Sequence, residues 1–231
     1  MHLILLPGMD GSAALRGGFA AALAPDIRVT TLDYVGDHVH DYASFEAHAR
    51  TLLPEGEPFI LAGESLGGPM AIKLAAEAPE GLRALVLIAT FARKPRPVLG
   101  KLAPLGHYLP LGNKQVIEVG RRIALGHHGT KEGARAIQEI IDGHSMSTLV
   151  NRFVAGARVD VAHLLPDISV PTLVLRASRD ILIPASAARL IVKHIPDVLL
   201  KRIDGPHALL GVAPGACAAA VREFTRHLEA A

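Results

Sequence analysis

The chain has 231 residues, of which 50% are hydrophobic, 20% are charged and 4% are aromatic, and its formal net charge at neutral pH is +2. A chain of this length and composition can bury a full hydrophobic core, which excludes a disordered or fibrous protein. No apolar run approaches the roughly 20 residues of a membrane span, which argues against an integral membrane protein. The single cysteine, Cys217, excludes internal disulfides and zinc sites built from cysteine, and it favours a reducing compartment, with the cytoplasm as the default.

Short apolar runs rich in Val, Ile and Leu recur along the chain, and each ends in turn residues. Continuous rather than alternating hydrophobicity is typical of strands that are covered on both faces, as in a parallel sheet. Six runs have this character: 2–6, 27–32, 58–62, 84–89, 171–177 and 198–203. Stretches with helical spacing follow the runs, so the pattern predicts an α/β fold with a parallel sheet and helices on both faces.

An insertion separates the fourth run from the fifth and is far longer than an ordinary connection. It opens with a proline-rich stretch. Helical spacing then follows around residues 116–125, 131–141 and 147–159. We predict that residues 93–165 form a helical cap over the carboxyl ends of the strands, where ligands bind in open α/β sheets. Residues 1–92 and 166–231 are predicted to form the core.

Residues 63–68, directly after the third run, read Gly-Glu-Ser-Leu-Gly-Gly. A serine hydroxyl becomes a nucleophile when it is exposed, deprotonated by a base and faced by donors that hold an oxyanion. A sharp turn between a strand and a helix exposes the hydroxyl, and the flanking glycines leave room for its strained backbone. Because a strand precedes this segment and a helix follows it, Ser65 is the predicted nucleophile, and a purely structural tight turn is the alternative.

The base and the acid should come from the ends of other strands. His207 directly follows the last predicted strand, after a Gly-Pro turn that can present its imidazole at the carboxyl edge of the sheet. Asp180 follows the fifth strand, which gives the chain order Ser, Asp, His expected of this arrangement. Asp204 is a rival acid, but its position three residues before His207 favours a role in stabilising that turn.

An oxyanion hole needs two N–H donors. The residue after the nucleophile, Leu66, supplies one, and the loop after the first strand supplies the other. That loop reads Pro-Gly-Met-Asp-Gly-Ser, and the amide of Met9 is the predicted donor. A phosphate-binding loop is the competing interpretation, but its glycine spacing and the lack of a following Gly-Lys-Ser/Thr exclude it. Asp10 is interpreted as a cap of a helix that begins near Ser12, and Glu64 as a side chain that points into the scaffold.

From residue 2 to residue 228 the chain resembles the α/β-hydrolase superfamily. It is similar to small bacterial hydrolases that open with Pro-Gly-Met-Asp-Gly-Ser, carry Gly-Glu-Ser-Leu-Gly-Gly and close with Gly-Pro-His. The family usually begins with an antiparallel pair of strands, whereas here the first run leads straight into the oxyanion loop, so we expect a trimmed sheet of six parallel strands. The resemblance implies acyl transfer to water through an acyl-enzyme, with a carboxylic ester or a thioester as substrate and no metal or cofactor. The implied roles are nucleophile Ser65, acid Asp180, base His207 and oxyanion amides Met9 and Leu66.

The net charge of +2 combines two opposed regions. Residues 93–165 contain eleven Lys and Arg against five Asp and Glu, a net +6, whereas the remainder contains thirteen against seventeen, a net −4. A solvated basic face explains this difference. The alternative is that the cap attracts an anionic carrier, such as acyl carrier protein or coenzyme A, in which case the chain is similar to the bacterial esterases that trim pimeloyl esters on acyl carrier protein.

Two other kinds of function are weighed against the esterase prediction. Some members of the superfamily are receptors or inert binding modules, and a serine in this pattern does not by itself establish turnover. Nucleic-acid binding is disfavoured because aromatic residues are few and the basic residues lie in a helical insertion without a nucleic-acid motif.

Overall fold

The computed structural model describes residues 1–34, 41–94, 125–126, 138 and 142–229. Six strands lie at the predicted places: β1 (His2–Leu6), β2 (Arg28–Thr31), β3 (Phe59–Glu64), β4 (Leu82–Ile88), β5 (Thr172–Ala177) and β6 (Val198–Ile203). All neighbouring strands are parallel, and they form one sheet in the order β2-β1-β3-β4-β5-β6. The prediction of a six-stranded parallel sheet is therefore confirmed.

Helices connect the strands. The α-helices of the described residues are α1 (Gly17–Leu23), α2 (Tyr42–Arg50), α3 (Gly67–Ala76), α4 (Met146–Arg158), α5 (Ala185–His194), α6 (Leu209–Val212) and α7 (Pro214–Glu229). A 3₁₀-helix spans Ala162–Asp167. Within the described ranges, none of these helices is both long enough and apolar enough to cross a membrane.

Two hydrophobic clusters cover the two faces of the sheet. Successive residues of a strand point to opposite faces, so each buried strand contributes to both clusters. On one face, Ile4, Leu61, Leu85 and Leu87 pack with Phe45 of α2, Met70 and Leu74 of α3, and Ile191 of α5. On the other face, Leu3, Leu5, Ile60, Val86 and Leu173 pack with Phe19 of α1 and with Val221 and Phe224 of α7. The prediction of helices on both faces is therefore confirmed.

The insertion begins and ends at adjacent backbone segments. Arg93 and Asp160 form an antiparallel bridge, and the N–H of Val161 donates to the carbonyl of Ala92 at 2.8 Å. Helix α4 confirms the helix predicted at 147–159. Its N-cap residue is Ser145, whose side chain accepts a hydrogen bond from the Thr148 N–H at 3.2 Å. The helices predicted at 116–125 and 131–141 lie almost wholly outside the described residues, so the cap as a unit, and the domain boundaries, stay predictions.

The turn between β3 and α3 presses against the end of β1. A Cβ atom built on Gly67 would lie 2.1 Å from the carbonyl oxygen of Leu6 and 2.6 Å from that of Pro7. Real Cβ atoms do not approach backbone oxygens so closely, so only glycine fits at this position. The close approach brings the loop after β1, which carries Met9, next to the turn that carries Ser65 and Leu66.

We expect Gly67→Ala to lower the free energy of unfolding by about 1–3 kcal/mol, because the added methyl group must displace the backbone of β1 or α3. Gly17→Ala is the matched control, since a Cβ atom there meets nothing within 4 Å and Gly17 begins helix α1. The control should leave stability unchanged or raise it by up to about 1 kcal/mol. Urea unfolding of both variants measures the difference, and equal effects would contradict the steric argument.

Candidate active site

Ser65 lies at a strained turn between β3 and α3. Its backbone φ is 51°, in the left-handed region that non-glycine residues rarely adopt. Three hydrogen bonds hold the turn: the Ser65 N–H donates to the Ile88 carbonyl at 3.0 Å, and the Ser65 carbonyl accepts from the Gly68 N–H at 3.1 Å and the Thr90 hydroxyl at 2.5 Å. The strand, turn and helix of the nucleophile-elbow pattern are therefore present.

His207 lies on the turn that follows β6, and its ring reaches Ser65. The distance from Ser65 Oγ to His207 Nε2 is 2.9 Å, within hydrogen-bond range, although the two residues are 142 positions apart in the chain. The side chain of His207 is 12% exposed, so the imidazole is screened from most of the solvent. The imidazole is thus placed where it can accept the serine proton.

Asp180 lies on the loop after β5 and faces the other nitrogen of the imidazole. Its Oδ2 is 2.8 Å from His207 Nδ1, and its Oδ1 accepts hydrogen bonds from the N–H groups of Leu182 at 2.9 Å and Ile183 at 2.8 Å. An imidazole that carries its proton on Nδ1 donates to Asp180 and presents the Nε2 lone pair to Ser65. The structure therefore brings together the three side chains that the sequence singles out.

The loops that carry Asp180 and His207 are bonded to each other. The Ser178 hydroxyl donates to Asp204 Oδ1 at 2.6 Å and accepts from the Gly205 N–H at 3.2 Å, and Arg179 forms an ion pair with Asp204 at 3.1 Å. Asp204, the rival acid, thus binds Ser178 and Arg179 directly after β5, whereas Asp180 binds His207. These contacts fix the distance between the two loops.

The two predicted oxyanion donors flank the serine. Leu66 follows Ser65 directly, and the loop of Met9 passes so close that a Cβ atom built on Gly8 would lie 3.3 Å from Ser65 Cβ. Within the described residues, no hydrogen-bond acceptor lies in range of the Met9 N–H or the Leu66 N–H. Met9 and Leu66 thus stay the predicted oxyanion donors.

A buried ion cluster lies behind the site, and sequence patterns did not reveal it. Arg16 is 3% exposed and Glu64 is 3% exposed, and Arg16 Nε donates to Glu64 Oε2 at 2.7 Å. Arg16 also binds the Asp10 carboxylate, with 3.0 Å between Nη2 and Oδ1. Burial by itself lowers the pKa of Arg16, but the charges of Asp10 and Glu64 outweigh it and raise that pKa well above its ordinary value. The guanidinium is therefore charged at every working pH.

The interpretation of Asp10 as a helix cap is wrong. Helix α1 begins at Gly17, later than expected, and its N-cap residue Arg16 receives no side-chain capping bond. The Asp10 carboxylate turns to the buried guanidinium instead, because an unpaired buried cation costs more than an uncapped helix end. Glu64 does point into the scaffold as expected. Glu64 ends β3, which is otherwise apolar, and a carboxylate in such a place is rarely buried without a cation. It is the sequence signal that could have indicated a buried arginine.

The chain is similar to known hydrolases over most of its length. A family model described as serine aminopeptidase, S33, matches residues 26–211. The chain is 29% identical over 241 residues to a poly(3-hydroxyalkanoate) depolymerase of Ectopseudomonas oleovorans, covering 96% of this chain and 83% of that protein. It is 29% identical over 213 residues to a pimeloyl-[acyl-carrier protein] methyl ester esterase of Vibrio atlanticus, and this match covers 84% of this chain and 82% of that protein. The solved structure of a thermophilic esterase from Thermogutta terrifontis has the same fold, with a TM-score of 0.82 and 21% sequence identity. The match covers 99% of this chain and 90% of that chain.

We expect Arg16→Met to lower the free energy of unfolding by about 3–5 kcal/mol, because it leaves Asp10 and Glu64 without their buried counter-charge. Urea unfolding of the variant and of the wild type measures this loss. Arg28→Met is the control, because the side chains of Arg28 and Glu57 form an exposed pair at 3.6 Å that should contribute less than about 1 kcal/mol. Equal losses in the two variants would contradict the prediction.

Proposed function

The chain belongs to the serine aminopeptidase S33 family of α/β-hydrolases, and on that premise we propose that it is a serine hydrolase that cleaves carboxylic esters through an acyl-enzyme. The observation that carries the proposal is the continuous contact from Ser65 Oγ through His207 to Asp180, at 2.9 Å and 2.8 Å. The choice of an ester is supported by the two relatives described above. Both are named for ester substrates, and each matches more than four-fifths of this chain and of its own length.

The first half-reaction forms the acyl-enzyme. His207 Nε2 takes the hydroxyl proton of Ser65 while Oγ attacks the ester carbonyl carbon, and the carbonyl oxygen becomes an oxyanion. The tetrahedral intermediate then collapses. The carbon–oxygen bond to the leaving alcohol breaks, and the alcohol takes the proton from His207. Asp180 keeps the imidazole in the required tautomer and stabilises its positive charge while the intermediate exists.

The second half-reaction returns the enzyme to its starting state. A water molecule gives a proton to His207 and attacks the acyl carbon, and the collapse of the second intermediate releases the carboxylic acid as Ser65 regains its proton. In both halves the N–H groups of Met9 and Leu66 would stabilise the oxyanion. Losing one such donor typically costs a hundred- to a thousandfold in rate, by order of magnitude about 3–4 kcal/mol.

We expect Ser65→Ala to reduce the hydrolysis of p-nitrophenyl esters by about a thousandfold or more and to abolish covalent labelling by a fluorophosphonate. Ser44→Ala is the matched control, since this serine lies in the first turn of helix α2, where its side chain bonds to Asp41, and the variant should keep full activity and labelling. Hydrolysis over a series of acyl chain lengths and mass spectrometry of the labelled protein provide the measurements.

The same experiment separates catalysis from binding alone. A folded wild-type protein that neither hydrolyses the esters nor reacts with the probe would contradict the proposed function and favour an inert binding module. Labelling that persists in Ser65→Ala would show that the nucleophile is a residue other than Ser65. The cytoplasmic location suggested by the single cysteine stays a prediction.

The charge of the insertion favours a second candidate substrate, an acyl ester or thioester on an acidic carrier such as acyl carrier protein, or on coenzyme A. The net +6 of residues 93–165 would attract such a carrier, and one relative is named for an ester on acyl carrier protein.

If the substrate is held by an acidic carrier, kcat/KM for that substrate should fall by about tenfold or more from low to high salt, because salt screens exposed charges. A neutral p-nitrophenyl ester is the control and should show little change. Stopped-flow or coupled assays with both substrates measure the two salt slopes. Equal slopes would remove the carrier from the proposal and leave ester hydrolysis in place.

A further inference from the structure

Tyr34 lies beneath the loop that carries Met9. It is 1% exposed, and its backbone N–H donates to the Gly11 carbonyl at 2.8 Å. Gly11 has a positive φ of 63°, and a Cβ atom built on it would lie 2.5 Å from the Tyr34 ring. Gly11, in the loop between β1 and α1, therefore packs directly against the Tyr34 ring and leaves no room there for a side chain.

The hydroxyl of Tyr34 donates a hydrogen bond to the carbonyl of Gly8. The Pro7 carbonyl oxygen, at 3.3 Å, is a second acceptor within reach. Burial, and secondarily the charge of Asp10, raise the pKa of Tyr34 well above its ordinary value, so the hydroxyl keeps its proton and remains a donor. A buried carbonyl and a buried hydroxyl thus satisfy each other at the back of the loop.

The Gly8 carbonyl and the Met9 N–H belong to the same peptide group. Peptide groups are planar, and among the described residues only the bond between Ala24 and Pro25 is cis, so this carbonyl and this N–H point in opposite directions. The Tyr34 hydroxyl holds this carbonyl together with the Gly11 N–H, which donates to it at 3.1 Å, and a fixed carbonyl sets the direction of the N–H on the other side. A hydrogen bond to the carbonyl also polarises the peptide and strengthens its N–H as a donor.

Arg152, on helix α4 of the insertion, holds the next peptide group. Its Nη1 donates to the Met9 carbonyl at 3.0 Å, and its Nη2 donates to the Tyr34 carbonyl at 2.9 Å. Its guanidinium also lies over the Tyr34 ring, 4.7 Å from the centroid, and the residue is 3% exposed. The peptide groups on both sides of Met9 are therefore fixed by buried side chains from elsewhere in the chain.

We propose that Tyr34, supported by Arg152, is the positioning residue that aims the Met9 N–H at the oxyanion. Tyr34 touches neither the substrate nor the reacting atoms and acts through the peptide group between Gly8 and Met9. This inference rests on the proposed function, because it assigns a support to the oxyanion hole of that same reaction.

Tyr34→Phe is the direct test, since it removes the hydroxyl and leaves the ring in place. A small misalignment of a reacting group can cost about a hundredfold in rate, so we expect kcat for a p-nitrophenyl ester to fall about ten- to a hundredfold. KM for the same ester should stay unchanged, because the N–H binds the oxyanion more strongly than the ground-state carbonyl. The affinity for an alkyl boronic acid, whose adduct with Ser65 mimics the tetrahedral oxyanion, should fall by the same factor as kcat/KM.

Tyr42→Phe is the matched control. Tyr42 lies edge-on against Phe45 at 6.0 Å between centroids, and its hydroxyl is buried without a hydrogen-bond partner in the described part of the chain. Removing that hydroxyl should leave kcat and boronic acid affinity unchanged. A general weakening of the aromatic cluster would affect both variants alike, whereas the positioning role affects Tyr34→Phe alone.

The outcomes separate this inference from the proposed function. A folded Tyr34→Phe variant with wild-type kcat and boronic acid affinity overturns the positioning role while ester hydrolysis stands. If Tyr34→Phe does not fold, Arg152→Lys decides, because lysine keeps the charge but cannot bridge the two carbonyls as the guanidinium does. A lower kcat at unchanged KM in Arg152→Lys supports the inference, and wild-type kcat overturns it. A wild-type protein without hydrolysis or labelling overturns both proposals.

Discussion

A serine in the left-handed backbone region costs free energy, and much of this fold serves to hold Ser65 there. The strain is local, but the contacts that oppose it come from the ends of two neighbouring strands. The Ile88 carbonyl ends β4 and the Thr90 hydroxyl follows it, and the Leu6 carbonyl at the end of β1 leaves room only for Gly67. The parallel arrangement places these strand ends along one edge, so the same topology that allows the turn also brings the loops of Asp180 and His207 to it.

The second constraint is the buried charge behind the site. Removing Arg16, Asp10 and Glu64 from water carries a large desolvation cost, and apolar residues of similar volume would often stabilise a core as well or better. The ion cluster instead fixes the relative positions of the segments that carry its members, because its hydrogen bonds are directional. Glu64 immediately precedes Ser65 and Asp10 immediately follows Met9, so the Arg16 guanidinium joins the turn of the serine to the loop of the predicted second oxyanion donor.

Much of the fold and the main side chains of the site could be predicted, because both rest on local signals. Strands covered on both faces are continuous apolar runs, and the ends of such runs limit where Ser65, Asp180 and His207 can lie. Arg16 and Arg152 carry no such signal. Glu64 is 48 positions from Arg16, and Met9 is 143 positions from Arg152, so local patterns do not predict these two contacts. Asp10 lies only six positions from Arg16, but its carboxylate pairs with that arginine because Arg16 is buried against Glu64, and a local pattern does not show this burial.

The contacts of Arg152 also bear on how substrate choice and catalysis are connected. Helix α4 belongs to the insertion between β4 and β5, yet its Arg152 donates to the Met9 carbonyl in the loop after β1. A displacement of α4 on substrate binding would therefore move a hydrogen-bond partner of the oxyanion loop. If the proposed substrate contacts the insertion, binding energy gained there would help to align the Met9 N–H, which would raise kcat rather than merely lower KM. An arginine suits this task because its rigid fork holds two carbonyls at once and so transmits position as well as charge.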